Sequence, residues 1–276
     1  MRNNSGGYTI VEFMIAMAIA AILVTAIFQV SGFRQKSHSK QQLGVEMQQN
    51  LRAAISLIKR EIRMAGYDPA ANDGVDSDGD SAIDNDEESA GTGFQTAGRS
   101  MIQFTFDNNG NGDINDDYDE RVSYGFANKY DGDDDGIADA GAAPLGRDDG
   151  DGNLAGVAEN IQAVGFAYAF DNDHDGNLDT DDGTLDGNII WAYDSDPSDG
   201  NSQLTFNLDT DSALAVPVPL SEIRAVRIWI LARTRAPVRG HFDSRTYTVG
   251  DRIISSADNY QRRLIKTTVY CRNMSL

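Results

Sequence analysis

The chain has 276 residues, 40% of them hydrophobic, with one cysteine and a formal net charge of -20. That length and apolar fraction allow a buried core in one large or two small domains. The charge disfavours nucleic acid as a partner, because phosphate backbones are held by Lys and Arg, and the lone Cys271 excludes an intramolecular disulfide.

After a short polar start with Arg2, the residues from Phe13 to Val30 are almost wholly apolar. Counted from Tyr8, the run reaches the roughly 20 residues, or about 30 Å of helix, that a bilayer core requires. A secretory signal would place its small-residue cleavage site after the apolar run; here Gly6-Gly7 precedes it. Glu12 lies near the start of the run. A carboxylate inside a spanning segment is costly unless a partner is supplied, or else it sits at the interface and marks the helix start, where the dipole favours an anion.

Gly7, the aromatic Tyr8 and Glu12 as fifth residue after the glycine, heading a long apolar run, resemble the class III signal of type IV prepilins. The usual residue after the glycine in that family is Phe, so Tyr8 is a mild departure. The resemblance implies that a prepilin peptidase cuts after Gly7 and methylates the new amine on Tyr8. It implies that Glu12 then meets the amine of a neighbouring subunit as helices stack, offsetting the cost of a buried charge and setting assembly register. Residues 1–7 are then a leader, and 8–30 the transmembrane and assembly half of a helix. The precursor is expected in the bacterial inner membrane with a periplasmic domain, and the assembled protein on the extracellular pilus.

The helix is expected to continue over residues 31–66 as an amphipathic half, with Leu43, Met47, Leu51, Ile55, Ile58 and Ile62 at three- and four-residue spacing. It should run to Ala65 and stop at Gly66, with Pro69 beyond. Ser31-Gly32 and Gly44 are candidate bend points.

Residues 67–276 read as a β-rich domain with long acidic loops. Period-two apolar runs at 101–106, 121–127, 161–170, 189–193, 204–208, 223–233 and 264–272 are separated by Asp, Asn and Gly, the pattern of an antiparallel sheet. Cys271 falls in the last run and is expected as a small, semi-buried strand residue. The fold class is therefore α+β, a long N-terminal helix packed on an antiparallel sheet.

The acid is concentrated between Asp68 and Asp211, where the only Lys and Arg are Arg99, Arg121, Lys129 and Arg147. Its clearest motif starts at Asp171, with Asp173, Asp175, Asn177, Asp179 and Asp182 following and Gly176 at the sixth position. Oxygens at loop positions 1, 3, 5, 9 and 12, with a backbone carbonyl from Asn177, follow the grammar of calcium loops, and the glycine permits the sharp turn. His174 should face solvent, and Leu178 should turn into the sheet. Asp182 is shorter than the Glu that closes such loops, which lowers the expected affinity. A weaker repeat has Asp76, Asp78, Asp80, Asp84 and Glu87; another has Asp107, Asn109, Asn111 and Asp113, where Asp119 or Glu120 would have to reach in. Asp131, Asp133, Asp135 and Asp139, and Asp149 with Asp151, are partial motifs that would combine across one long loop. Calcium is thus expected as a structural cofactor in a strand-flanked loop rather than in a helix-loop-helix sensor.

No nucleophile elbow, phosphate loop or dinucleotide fingerprint appears, and His38, His174 and His241 are scattered, so an enzyme is not expected. Size, acidic insertions and a basic C-terminal strand look like the PilW-like minor pilins, whose partners are other pilin subunits and which prime or cap a type IV pilus. Two alternatives stay open: a minor pseudopilin of type II secretion, and a membrane-anchored calcium-binding or adhesive module that never polymerises.

Overall fold

The structure is a computed structural model that describes residues 9–69, 92–110, 114 and 118–275. Contacts divide the chain at Val45/Glu46 into two units. The first consists of the N-terminal part of helix α1 (Ile10–Ile62). Its residues Ile10–Phe28 have a mean hydropathy of 2.6 and are exposed throughout, long and apolar enough to cross a membrane. α1 is helical through Ser31-Gly32 and Gly44, so neither position interrupts it.

In the second unit, Met47, Leu51, Ala54, Ile58 and Ile62 of α1 are buried at spacings of three and four, forming one apolar stripe. Glu61 adjoins that stripe and is also buried: the Tyr124 hydroxyl donates to it, and Arg147 Nε lies 3.0 Å from its Oε2. The helix ends three residues before Ala65, because the N–H groups of Met64 and Ala65 turn back to Glu61 and Ile62. Gly66 then adopts φ 75°, a left-handed conformation that ends helices cheaply only when no Cβ is present. A Cβ there would also lie 2.7 Å from Met274 Sδ. Gly66→Ala is therefore expected to cost roughly 1–2 kcal/mol, read as a lower urea midpoint with unchanged slope.

Twelve strands follow among the described residues. In chain order they are β1 (Gly93–Ala97), β2 (Ile102–Thr105), β3 (Arg121–Gly125), β4 (Ala143–Asp148), β5 (Ala155–Phe170), β6 (Ala192–Tyr193), β7 (Gln203–Asn207), β8 (Ser212–Pro219), β9 (Ile223–Arg233), β10 (Thr246–Val249), β11 (Arg252–Ser255) and β12 (Arg262–Tyr270). Ten form one antiparallel sheet in the order β1-β2-β3-β4-β5-β6-β7-β8, with β9 joined to β5 and β12 joined to β9; β10 and β11 form a separate hairpin.

Strand β5 organises the sheet by pairing β4 early and β9 and β6 late. Its alternation sorts residues by size. Val164, Phe166, Tyr168 and Phe170 join the core under α1, whereas Ala163, Ala167 and Ala169 face the opposite side. β9 repeats this, sending Val226, Ile228 and Ile230 to the helix side and Ala225, Trp229 and Leu231 to the other. Tyr247, Val249 and Ile254 of the hairpin cover that second core. Both faces are buried, which is why these strands read as nearly continuous apolar runs.

Several expectations need correction. The run at 189–193 contributes only Ala192–Tyr193, with Ile189 bridging Thr180 instead. β1, β4, β8, β10 and β11 were outside the period-two reading: β4 contains Pro144 and Gly146, and β8 is an exposed edge with Pro217 and Pro219. An edge strand tolerates proline because one side of its backbone has no ladder to complete. Cys271 is buried but lies just after β12, its N–H bonded to Arg224 O. Burial pushes its thiol up to about 12, the condition of an inert thiol.

Candidate assembly and cation sites

At the start of α1, Thr9 and Glu12 cap the helix reciprocally. Glu12 N–H donates to Thr9 Oγ1 at 3.3 Å, while Thr9 N–H and Oγ1–H donate to Glu12 Oε2 at 2.9 and 3.1 Å. This is a capping box, with the acid three residues after the threonine. Glu12 is the only ionisable side chain from Ile10 to Phe28. The box holds its carboxylate at the helix end, beside the part of the chain where the expected cut falls. Gly7 and Tyr8 themselves lie outside the described residues.

The acidic loop after β5 brings some of its residues together. Carboxylate oxygens of Asp171, Asp173 and Asp179 lie within 4.8 Å of one another, and Asp171 is buried. The Asp171 carboxylate accepts from the N–H groups of Asp175 at 3.2 Å and Gly176 at 3.0 Å, and Asp175 accepts from Asn177 N–H at 2.7 Å. Asp179 accepts from Asn172 N–H at 3.3 Å, and its own N–H bonds Phe170 O at 2.9 Å. Burial, then the charges of Asp173, Asp171 and Asp175, raise the Asp179 pKa despite that hydrogen bond. Leu178 packs on the second core, and His174 is largely exposed with Nε2 3.2 Å from Glu222.

Asp182 is placed differently from the expected closing position. Its carboxylate accepts from Thr184 N–H and Oγ1–H at 3.0 and 2.8 Å, and those bonds lower its pKa. A short side chain satisfied by a near neighbour in sequence is not carried to the group around Asp171.

The loop from Asp131 repeats the same construction and stands by itself. Asp131 accepts from Asp135 and Gly136 N–H at 3.1 and 2.7 Å, Asp135 accepts from Ile137 N–H at 2.6 Å, and Asp139 accepts from Gly132 N–H at 3.1 Å. The N–H of Asp139 bonds Tyr130 O at 2.9 Å, as that of Asp179 bonds Phe170 O. Even the backbone agrees: Asp134 and Gly136 have φ 54° and 76°, His174 and Gly176 58° and 83°. Asp131, Asp133 and Asp135 converge as one group, and Asp148, Asp149 and Asp151 as a separate one, so the partial motifs do not merge. The sequence carries the likeness of the two loops, since Asp131, Asp133, Asp135, Gly136 and Asp139 have the offsets of Asp171, Asp173, Asp175, Gly176 and Asp179. Arg252 braces this loop from the hairpin by donating through Nη1 to Asp135 O. Burial, and secondarily Asp135, push the Asp131 carboxyl up to about 6.

The remaining sites are less complete. Asp107 is buried and accepts from Gly110 N–H at 2.6 Å, while Glu120 reaches in to accept from Asn108 and Asn109 N–H at 3.0 and 3.3 Å. Asp119 turns instead to Arg147, 3.6 Å away. Asn111, Asp113, Asp76, Asp78, Asp80, Asp84 and Glu87 lie outside the described residues.

Comparisons with known proteins bear on both ends of the chain. Residues 2–28 match the prokaryotic N-terminal methylation motif. Residues 40–133 match prepilin peptidase-dependent protein B, and residues 140–273 match type IV pilus-assembly protein W. Among solved structures the chain is similar to a type IV-like pilin from Thermus thermophilus, at 15% identity and a TM-score of 0.40, over 83% of this chain and 97% of that one. No curated protein matches.

Proposed function

The chain is a PilW-like member of the type IV pilin superfamily, and from that premise we propose that it is a minor pilin, a subunit that helps to initiate or cap a type IV pilus. The observation that carries this reading is the exposed apolar segment Ile10–Phe28 with Glu12 as its single charge. An apolar surface of that length needs lipid or neighbouring helices around it, and a lone carboxylate within it favours a cationic partner. In this reading a prepilin peptidase cuts after Gly7, and the amine freed on Tyr8 pairs with Glu12 of the next subunit. The capping box holds the carboxylate at the helix end until that exchange. Head-to-tail contacts that do not close then extend a filament. The acidic globular domain is periplasmic first and outside the cell once assembled, and its like charges favour low copy number.

Mass spectrometry of the N-terminal peptide, from cells with a prepilin peptidase, tests the pathway: N-methylated Tyr8 is expected, and an intact Met1 would overturn it. Glu12→Leu is expected to leave membrane levels unchanged but lower recovery in sheared filaments at least tenfold. Wild-type recovery of that variant would remove the pairing role.

Calcium held by the Asp171 and Asp131 loops is the second part of this reading. Support comes from two loops with one hydrogen-bonding pattern, each presenting three carboxylates at close range. Packed carboxylates repel one another, and a divalent ion turns that repulsion into attraction. The expected role is structural, at the roughly 10⁻⁴ to 10⁻³ M affinity of extracellular modules.

A further inference from the structure

Arg227 of β9 differs from Arg147, Arg252 and Arg262 in what its guanidinium meets, and resembles Arg233 of the same strand, which lies 4.4 Å from the Tyr260 ring centre. The guanidinium groups of Arg147, Arg252 and Arg262 each meet carboxylates or carbonyls. Arg227 instead lies over aromatic rings, its central carbon 3.6 Å from the centre of Trp191 and 5.8 Å from that of Trp229. Its Nε is buried with no hydrogen-bond partner among the described residues. A buried donor without an acceptor costs stability.

Arg227 lines a groove of about 630 Å³ on the side of the sheet away from α1, within the size range of small-molecule sites. The neighbouring walls are polar and of mixed character. Asn207 Oδ1 accepts from the N–H groups of Asp209 and Thr210 at 2.9 and 3.3 Å, which leaves its Nδ2 as a donor. Asn188 Nδ2 donates to Asp181 at 3.0 Å, which leaves its Oδ1 as an acceptor. Asp209 is exposed at the rim.

We propose that this groove binds a carboxylated sugar of the uronate class, its carboxylate on Arg227 and its hydroxyls on Asn188, Asn207 and Asp209. A planar guanidinium held over a ring presents its donors in the geometry that matches a carboxylate in two places. Phosphate fits worse, because its second charge would face Asp181 and Asp209. Hydroxyls suit the rest of the wall, since each both donates and accepts. Neither the ring nor the carboxylate alone uses every group in the groove. The site is independent of the assembly role of Glu12.

The test is a calorimetric titration of the full chain in a sugar-free zwitterionic detergent with D-galacturonate, D-galactose and acetate. Galacturonate is expected to bind at least tenfold more tightly than either of the others, and Arg227→Gln to weaken it at least tenfold. Because Arg227 also packs on Trp191, Asp209→Ala, at an exposed position, supplies a second variant that keeps the fold; it should weaken galacturonate several-fold relative to acetate. Absence of saturable galacturonate binding, or equal binding of acetate, would overturn the proposal. So would unaltered affinity in both variants.

Discussion

Replacing Arg262 with Met is expected to destabilise the globular unit by about 3–5 kcal/mol, the usual cost of breaking a buried ion pair from one side. Arg262 sits at the start of β12 with its side chain 2% exposed, and donates to Gln162 of β5 at 2.6 Å. It also binds both carboxylate oxygens of Asp258 at 2.6 Å and lies 3.5 Å from Asp243, whose side chain is 1% exposed. Asp243 further accepts from Arg245 Nε at 2.9 Å and Tyr247 OH at 2.8 Å. One cluster therefore ties β5, β12 and the approach to the β10–β11 hairpin. Met preserves most of the stem's packing, so the loss reads the charge rather than volume. Urea unfolding measures it, and a cost below about 1 kcal/mol, the value of an exposed pair, would show that the cluster is not energetically buried. Converting Asp243→Leu and Arg262→Met together should restore part of the loss, since the fully buried carboxylate goes with the arginine and the Asp258 carboxylate left behind is 37% exposed to water.

The same cluster sets a response to acid. Burial alone would raise the Asp243 carboxyl, but hydrogen bonds from Arg245 and Tyr247 hold it well below the usual carboxylate range. Its folded pKa is thus below its unfolded one, so its contribution is present above about pH 4 and lost as pH falls through the folded value.

Removing calcium is expected to lower the melting temperature by roughly 5–10 °C for each occupied loop. At free calcium a hundredfold above the dissociation constant, one site contributes about 2.7 kcal/mol, and a domain of this size shifts about 2–4 °C per kcal/mol. The comparison is the full chain in detergent with about 10 mM calcium, about a hundredfold above the tight end of the extracellular range, against a chelator. Asp171→Asn and Asp131→Asn should each remove part of the shift, and their combination most of it. Equal melting in calcium and chelator would leave both loops as solvated turns.

The Asp131 loop adds a pH signature of opposite sign to that of Asp243. Its carboxyl is pushed up to about 6 by burial, so the folded chain binds the proton more tightly than the unfolded one. The stability this contributes is complete below about pH 4 and disappears as pH rises through 6. In chelator, ionised Asp131 therefore opposes folding at neutral pH; on the proposed calcium reading, ionisation would complete the ligand set. The stabilisation by calcium should accordingly grow between pH 5 and 7.

The sequence by itself determined the parts of this protein whose physics is local. Nineteen residues from Ile10 to Phe28 are apolar enough to span a membrane wherever they sit, and Gly7 to Glu12 fall within the stretch that matches the N-terminal methylation motif. Met47, Leu51, Ile58 and Ile62 state a helical stripe through their spacing alone, and the loop offsets around Asp171 state a turn through the placement of Asp and Gly. The tertiary structure decided what depends on partners distant in the chain. Glu61 became a buried residue because Tyr124 and Arg147 arrive from β3 and β4. β8 became a strand despite its prolines because only one of its sides is paired, and Asp182 left the loop's group because Thr184 lay nearer to hand. Arg227 and Trp191, 36 positions apart, meet only because Trp191 lies just before β6 and the sheet brings it against β9. Periodicity records which way a side chain points, whereas pairing across a sheet records which other side chain it meets.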